Sequence, residues 1–249
     1  PNDSADILER TNDFLFFWNA FLYNIYEVID MIDLTSLNDL QKEAVMHKEG
    51  PCLVIAGAGS GKTKVLTTRI AELIDSGVDS YHILAITFTN KAAKEMKERL
   101  SKIVSNNEAF VGTFHSFGMR IIRENVLKLG MERNFTILDS DDVLSLIKKI
   151  LKEKGYDVKE VSPSYIQNRI SFIKNEMLTN AEIEKFFQSD VEKIAYEVYL
   201  EYNLKLKKNN SVDFDDLLRL PVLLFQQHPE VLEHYQDKFQ YILIDEYQD

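Results

Sequence analysis

The order of apolar and polar positions divides the chain into segments with different predicted structures. Short apolar runs bounded by turn formers occur at residues 52–56, 83–86, 109–111 and 241–244. Runs of this length and composition are typical of buried strands in a parallel sheet. Helical spacing of apolar residues predicts helices over 62–76, ended by Gly77, and over 90–104. Alternation of such strands and helices predicts an α/β fold with a parallel sheet.

The middle of the chain has a different pattern. From about residue 116 to 220 nearly every segment has the spacing of an amphipathic helix, except a short apolar run at 135–138. We therefore predict a helical insertion domain at 117–211. It would interrupt an α/β domain formed by 34–116 and 212–249.

Residues 1–33 form a predicted N-terminal appendage of uncertain origin. Its aromatic cluster is interrupted by polar residues, whereas a membrane helix needs roughly 20 apolar residues. It also lacks the basic start of a signal peptide. Because the chain begins with Pro1 and stops directly after an acidic cluster, we expect it to be a fragment of a longer protein.

Composition narrows the class of protein only slightly. The 249 residues are 45% hydrophobic with a net charge of -11, which is typical of a globular protein and excludes a wholly disordered chain. The single cysteine, Cys52, excludes an internal disulfide and favours a reducing intracellular setting. Residues 87–128 hold eight Lys and Arg against four Asp and Glu, so the acidic total does not exclude nucleic-acid binding.

A glycine-rich loop follows the first apolar run. Its residues are Ala56, Gly57, Ala58, Gly59, Ser60, Gly61, Lys62 and Thr63. Glycines let consecutive N–H groups turn toward phosphate oxygens, and the next helix adds a favourable dipole. In such a loop Lys62 reaches the β- and γ-phosphates and the Thr63 hydroxyl binds Mg²⁺. The alternative is a glycine-rich turn without a ligand, and Ala56 departs from the glycine of the general pattern.

An acidic cluster ends the last apolar run. In a parallel sheet the carboxyl ends of the strands share one edge, so carboxylates after this strand can lie beside the phosphate loop. Asp245 would hold Mg²⁺ and Glu246 would polarise the attacking water, with Lys62 as the other catalytic group. Together, the loop and the carboxylates predict a nucleoside triphosphatase. The 182 positions between Thr63 and Asp245 leave room for the helical insertion.

Several segments, in order along the chain, resemble the motifs of superfamily 1 DNA helicases of the UvrD, PcrA and Rep type. They are Leu37-Asn38 with Gln41, the phosphate loop, 86–93, 112–116, 212–218 and 245–249. The resemblance covers roughly residues 37–249. It implies a truncated RecA-like P-loop domain of an ATP-dependent helicase that moves 3′ to 5′. It also implies ATP and Mg²⁺ as cofactors, single-stranded DNA and single/double-strand junctions as substrates, repair proteins as further partners, and no membrane partner.

The resemblance also implies roles for individual residues. Gln41 would read adenine, beside Lys64, where these helicases often have an arginine that stacks on the base; lysine has no planar face for this. Phe88 would stack on a DNA base, an interaction worth about 1–3 kcal/mol. The remaining DNA contacts would be Thr89, Asn90, Lys91 and His115.

Plainer interpretations of these residues stay open. Gln41 could be an ordinary glutamine on a helix surface, and Phe88 could be a core residue. His115 could have only a structural role. The carboxylates of 213–216 could cap a helix N-terminus, where acidic residues are favourable.

Three other functions also stay open: an ATP- and DNA-binding module without turnover, a helicase subunit of a recombination nuclease and, more remotely, a metabolic kinase. The resemblance implies a second motor domain beyond residue 249, with arginines that can be worth about 10³–10⁵ in rate in related enzymes. The chain alone is therefore not expected to unwind DNA.

Overall fold

The computed structural model describes residues 32, 34–47, 49–105 and 107–248. The aromatic cluster expected to form an N-terminal appendage lies outside these residues. The chain divides into two compact units. The first contains the described residues up to Ala85, Lys91–Val111 and the residues from Gln240 onward, and the second contains Ile86–Asn90 and Gly112–Phe239.

The described residues form helices and short strands, with four consecutive helices between residues 140 and 208. The helices are α1 (Asp39–Met46), α2 (Lys62–Asp75), α3 (Asn90–Leu100), α4 (Phe114–Glu124), α5 (Ser140–Glu153), α6 (Pro163–Asn175), α7 (Asn180–Phe186), α8 (Asp190–Lys208), α9 (Phe214–Gln227) and α10 (Pro229–Lys238). The strands are β1 (Ile83–Thr87), β2 (Phe110–Thr113), β3 (Thr136–Leu138), β4 (Ser211–Asp213) and β5 (Tyr241–Ile244). None of these helices is long and apolar enough to cross a membrane. The mixed α/β fold with parallel strand pairing confirms the predicted fold class at this level.

A three-stranded sheet with the order β2-β1-β5 carries the candidate chemistry at its strand ends. All five residues of β1 are buried. The core of the first unit packs the apolar stripe of α2, including Ile70 and Leu73, with Met96 and Leu100 of α3 and with Leu243 of β5. This stripe is the one that the 3.6-residue spacing predicts.

The prediction of a buried strand at 52–56 is wrong. These residues have no regular secondary structure and no strand partner among the described residues, and Leu53 and Ile55 are 71% and 89% exposed. The sole cysteine, Cys52, is exposed as well. An apolar run indicates that a segment is suited to burial, but a strand also needs a neighbouring backbone to satisfy its N–H and C=O groups.

The second unit is mostly helical. Its largest core joins α5, α6 and α8 through side chains such as Ile147, Ile170, Val198 and Tyr202. A second core packs Ile122 of α4 against Val212 and Leu217. Strands β3 and β4 pair in parallel, with Ile137 opposite Val212. The short apolar run at 135–138 was noted in the sequence, whereas β4 was not predicted.

Candidate functional site

The glycine-rich loop leads directly into α2. Gly59 and Gly61 have φ values of 74° and 85°, in the left-handed region that residues with a Cβ atom rarely adopt. Gly61 is the N-cap residue of α2, so the first N–H groups of this helix open toward the loop. A helix N-terminus that follows such a loop favours an anionic ligand.

The first unit brings Thr63 and Asp245 together from opposite ends of the sequence. Thr63 Oγ1 donates a hydrogen bond of 3.2 Å to Asp245 Oδ2, across 182 positions. Asp245 directly follows β5, and its residue is 6% exposed. Lys62 donates from Nζ to the Ala56 carbonyl at 3.3 Å, so its ammonium group lies over the loop. A hydroxyl, a carboxylate and an ammonium group therefore share one small region.

Glu246 lies beside this group in a strained backbone conformation. Its φ is 53°, which costs a residue other than glycine about 1–3 kcal/mol. Glu246 Oε1 is 3.9 Å from Lys62 Nζ, while Oε2 accepts a 2.6 Å hydrogen bond from Gln248 Nε2. The sequence did not single out Gln248, although it lies in the acidic cluster. It holds the carboxylate that the sequence assigns to water activation.

Gln41 and Lys64 have local partners in the structure. Gln41 Nε2 donates to the Ser60 carbonyl at 2.9 Å, and its Oε1 accepts from the backbone N–H of Asn38 at 3.0 Å. Lys64 Nζ donates to the carbonyl and hydroxyl oxygens of Ser36 at 3.0 Å and 2.9 Å. The amide of Gln41 thus connects the helix cap of α1 to the phosphate loop, and its contact with adenine stays a prediction.

The side chains at this site could bind a divalent cation in the way that nucleotide-binding enzymes do. Mg²⁺ is usually bound through one or two protein oxygens together with phosphate oxygens and waters. Thr63 Oγ1 and Asp245 Oδ2 supply two such oxygens. Among the described residues there is no group of three or more His, Cys, Asp and Glu side chains that could hold a metal ion by itself. Phosphate oxygens of a nucleotide and waters would supply the remaining ligands of such a cation.

The residues with predicted DNA contacts lie just after β1 and at the start of α4. Phe88 is 57% exposed, which argues against its interpretation as a core residue. Thr89, Asn90 and Lys91 are also exposed, at the start of α3. His115 is half-buried in the first turn of α4.

Two exposed aromatic residues that the sequence analysis missed lie at the starts of α4 and α9. Phe214, 52% exposed, packs edge-on against His115 with 5.8 Å between ring centroids. The other exposed residue is Phe114. We give the name aromatic pair to the two rings in contact, His115 and Phe214. The available signal was an aromatic residue between the carboxylates of 213–216, where a helix cap alone needs only polar side chains.

A glycine-rich loop beside a lysine, a hydroxyl and a carboxylate suits a nucleoside phosphate, and exposed aromatic side chains suit unpaired bases. The family model for the UvrD/REP helicase N-terminal domain matches residues 37–249. The chain is 50% identical to the ATP-dependent DNA helicase PcrA of Bacillus subtilis (strain 168) over 219 residues, which are 87% of this chain and 30% of that protein. It is 48% identical over the same shares to PcrA of Staphylococcus aureus (strain Mu50).

The chain belongs to the UvrD/REP helicase family. This confirms the resemblance drawn from the motifs. The chain spans about 30% of the length of these curated relatives. Both relatives are named as ATP-dependent DNA helicases.

Proposed function

We propose that this chain is the first RecA-like P-loop motor domain of an ATP-dependent DNA helicase. In this proposal residues 34–116 and 212–249 form the motor domain and 117–211 the helical insertion. The 3.2 Å contact between Thr63 and Asp245 carries the proposal, because a phosphate loop and a strand-end carboxylate meet there without a local sequence reason. The family membership and the relatives' names support the same function.

The nucleotide would bind through the backbone of the loop and the side chains around it. Loop N–H groups and Lys62 would hold the phosphates, while Thr63 and Asp245 would hold Mg²⁺. When bound, the ion would neutralise negative charge on the phosphates. Glu246 would accept the proton of the attacking water, and Gln248 fixes the orientation of that carboxylate at 2.6 Å. Gln41 would bind adenine after its amide leaves the Ser60 carbonyl.

Single-stranded DNA would bind to the second unit through its exposed aromatic side chains. Every base has a π face, so stacking on Phe88 and the aromatic pair would tolerate any sequence. Polar residues 89–91 after Phe88 would contact the backbone of the strand. The partners implied are single-stranded DNA and its junctions with duplex, at the bacterial nucleoid, together with repair proteins.

Translocation and unwinding are proposed for a protein that combines this chain with a second motor domain. ATP binding and release would open and close two motors, with 3′ to 5′ movement as the resemblance implies. The helicase subunit of a recombination nuclease would use the same residues and would differ by a nuclease domain elsewhere. By this reasoning the chain alone binds ATP and DNA but does not unwind.

The first experiment measures nucleotide affinity with Lys62→Ala. Charge-assisted hydrogen bonds are worth about 1.5–3 kcal/mol, so the affinity for a fluorescent ATP analogue with Mg²⁺ should fall about 10- to 150-fold. The control is Lys94→Ala, an exposed lysine of the same unit whose nearest carboxylate, Glu98, is 3.9 Å away. Equal affinity of both variants and the parent would refute the assignment of the loop.

A second measurement separates turnover from binding. ATP hydrolysis by the chain is followed with and without single-stranded DNA, and we expect tight nucleotide binding with little hydrolysis in either case. Brisk DNA-stimulated turnover would contradict the expectation that a second motor domain is needed.

A further inference from the structure

A buried lysine in the second unit has a role that the proposed function has not used. Lys174, near the end of α6, is 0% exposed. Its Nζ lies 2.7 Å from Asp213 Oδ2 and 2.8 Å from Asp216 Oδ2. The Tyr202 hydroxyl of α8 donates to the same Asp213 oxygen at 2.8 Å. We name these four residues the Lys174 cluster.

The charges of this cluster depend on one another. Burying an ion is costly unless it is paired and hydrogen-bonded. Burial raises the pKa of Asp216, and the neighbouring Asp213 carboxylate adds to that increase. Burial also acts to raise the pKa of Asp213, but the charge and hydrogen bond of Lys174 outweigh it, so the pKa of Asp213 is lowered. Removing the lysine would leave the buried Asp213 carboxylate without its cation and would leave Asp216 with only Arg219, whose Nη1 is 3.8 Å from Asp216 Oδ1.

The cluster fixes the corner at which β4 becomes α9. Asp213 is the last residue of β4 and the N-cap of α9, and its Oδ1 accepts the N–H of Asp216 at 2.9 Å. Phe214 lies between these two carboxylates as the first residue of α9. Its backbone is thus held by a capping box whose carboxylates both contact a single ammonium group.

The backbone at this junction of β4 and α9 sets the orientation of the Phe214 ring. The helix cap alone sets the local backbone, whereas Lys174 joins that cap to α6, 39 and 42 positions earlier in the chain. The ring of Phe214 contacts His115 and is otherwise half in solvent. An exposed ring gains little orientation from packing, so its position depends on the backbone that carries it.

We propose that Lys174 is a positioning residue that holds Phe214, through Asp213 and Asp216, in the orientation that stacks on a DNA base. This inference rests on the proposed function, because it requires the aromatic pair to bind single-stranded DNA. It goes beyond that function because the buried Lys174 cluster, in the helical part of the chain, would determine the orientation of a side chain on the DNA-binding surface.

The test is a double-mutant cycle between Lys174→Met and Phe214→Ala, measured with an oligothymidylate that contains one 2-aminopurine. Because stacking on one side chain typically changes affinity about 5- to 150-fold, Phe214→Ala should weaken binding within that range. Lys174→Met should weaken binding at least fivefold and reduce the fluorescence change of 2-aminopurine on binding. The double variant should bind no more weakly than Phe214→Ala alone, since both changes remove the same contact.

The matched control is Lys205→Met. Lys205 lies on α8 of the same unit and pairs with Glu153 at 2.8 Å and Glu201 at 3.6 Å, away from the Lys174 cluster. This variant should bind DNA within twofold of the parent. Nucleotide affinity should be unchanged in every variant, because the phosphate loop belongs to the other unit.

A second variant decides the matter if Lys174→Met does not fold. Asp213→Asn keeps an amide oxygen that can cap α9 but removes one ionic partner of Lys174. It should fold and show the same loss of the 2-aminopurine signal in weaker form. If Phe214→Ala weakens binding while folded Lys174→Met, or Asp213→Asn in its place, matches the parent, the positioning role is overturned and the DNA-binding function stands. If Phe214→Ala itself binds like the parent, the DNA-binding role of the aromatic pair fails, and the positioning role fails with it.

Discussion

Replacing Gly118 with alanine tests the packing that joins the two helices of the aromatic pair. Gly118 is buried in α4, and a Cβ built on it would lie 1.9 Å from the Leu217 carbonyl oxygen of α9. Pro221 lies inside α9 and has no N–H group, so the Leu217 carbonyl lacks its usual donor four residues later. The backbone of α4 therefore lies close to a carbonyl that has lost its helical hydrogen-bond donor to a proline.

The expected loss of stability follows from this distance. Ordinary contact begins near 3.4 Å, so the helices would have to separate by about 1.5 Å (3.4 less 1.9) if the strain were relieved along that line. Overpacking of a core typically costs about 1–3 kcal/mol, and a backbone neighbour cannot rotate away. Alanine regains about 1 kcal/mol through its higher helix propensity. Because the neighbour is backbone, we take the upper end of the overpacking range, about 3 kcal/mol, and expect a net loss of about 2 kcal/mol.

Thermal unfolding followed by circular dichroism measures this change. For a domain of this size a loss of about 2 kcal/mol corresponds to a decrease in Tm of roughly 4–8 °C. The control is Gly57→Ala, because that glycine has an ordinary φ and nothing within 4 Å of a built Cβ. An increase of a few degrees for Gly118→Ala would refute the argument, since helix propensity alone predicts that sign.

Three further changes test other contacts. Phe88→Ala should lose about 1–3 kcal/mol of single-stranded DNA affinity at unchanged nucleotide affinity, measured by fluorescence anisotropy; an unchanged DNA affinity would remove Phe88 from the surface. Asp245→Asn should lower nucleotide affinity in Mg²⁺ to the value found in EDTA, and a full Mg²⁺ effect would exclude Asp245 as a ligand. Burial and then the charge of Asp213 raise the pKa of Tyr202, so its contribution to stability is complete below about pH 10 and falls as the pH rises beyond that value. Between about pH 9 and 11.5, the free energy of unfolding of Tyr202→Phe should therefore fall less than that of the parent, as measured by urea titrations at each pH. An equal fall in both proteins would contradict this.

Local pattern was sufficient for most of the fold. The helix of α2 and the strand β5 have nearly the predicted bounds, because each combines a clear apolar spacing with a turn former at its end. The error at 52–56 has a different origin. Its apolar residues satisfy every local criterion of a buried strand, yet pairing depends on a second segment that local pattern does not specify.

The contact at the candidate nucleotide site was predictable because the residues that form it lie in short motifs. Loop glycines, Lys62 and Thr63 are contiguous, and the sequence placed Asp245 beside them through the rule that strand ends share an edge. The structure shows the Thr63 and Asp245 oxygens in hydrogen-bonding distance. The local partners of Gln41 and Lys64 were not predictable, because the carbonyls that they bind carry no sequence signal.

The Lys174 cluster shows where reasoning from local sequence stops. The carboxylates of 213–216 were interpreted as a helix cap, and the capping box is present. A cap, however, is fully satisfied by backbone N–H groups at the surface and gives no reason for burial. Lys174 follows Ile166, Ile170 and Ile173 on the buried side of α6, and a lysine on such a stripe requires a buried anion. The cap and the stripe are each ambiguous alone, but a buried cation and a surplus of carboxylates predict each other. Charge balance between distant helices is therefore the sequence signal that would have linked Lys174 to Phe214.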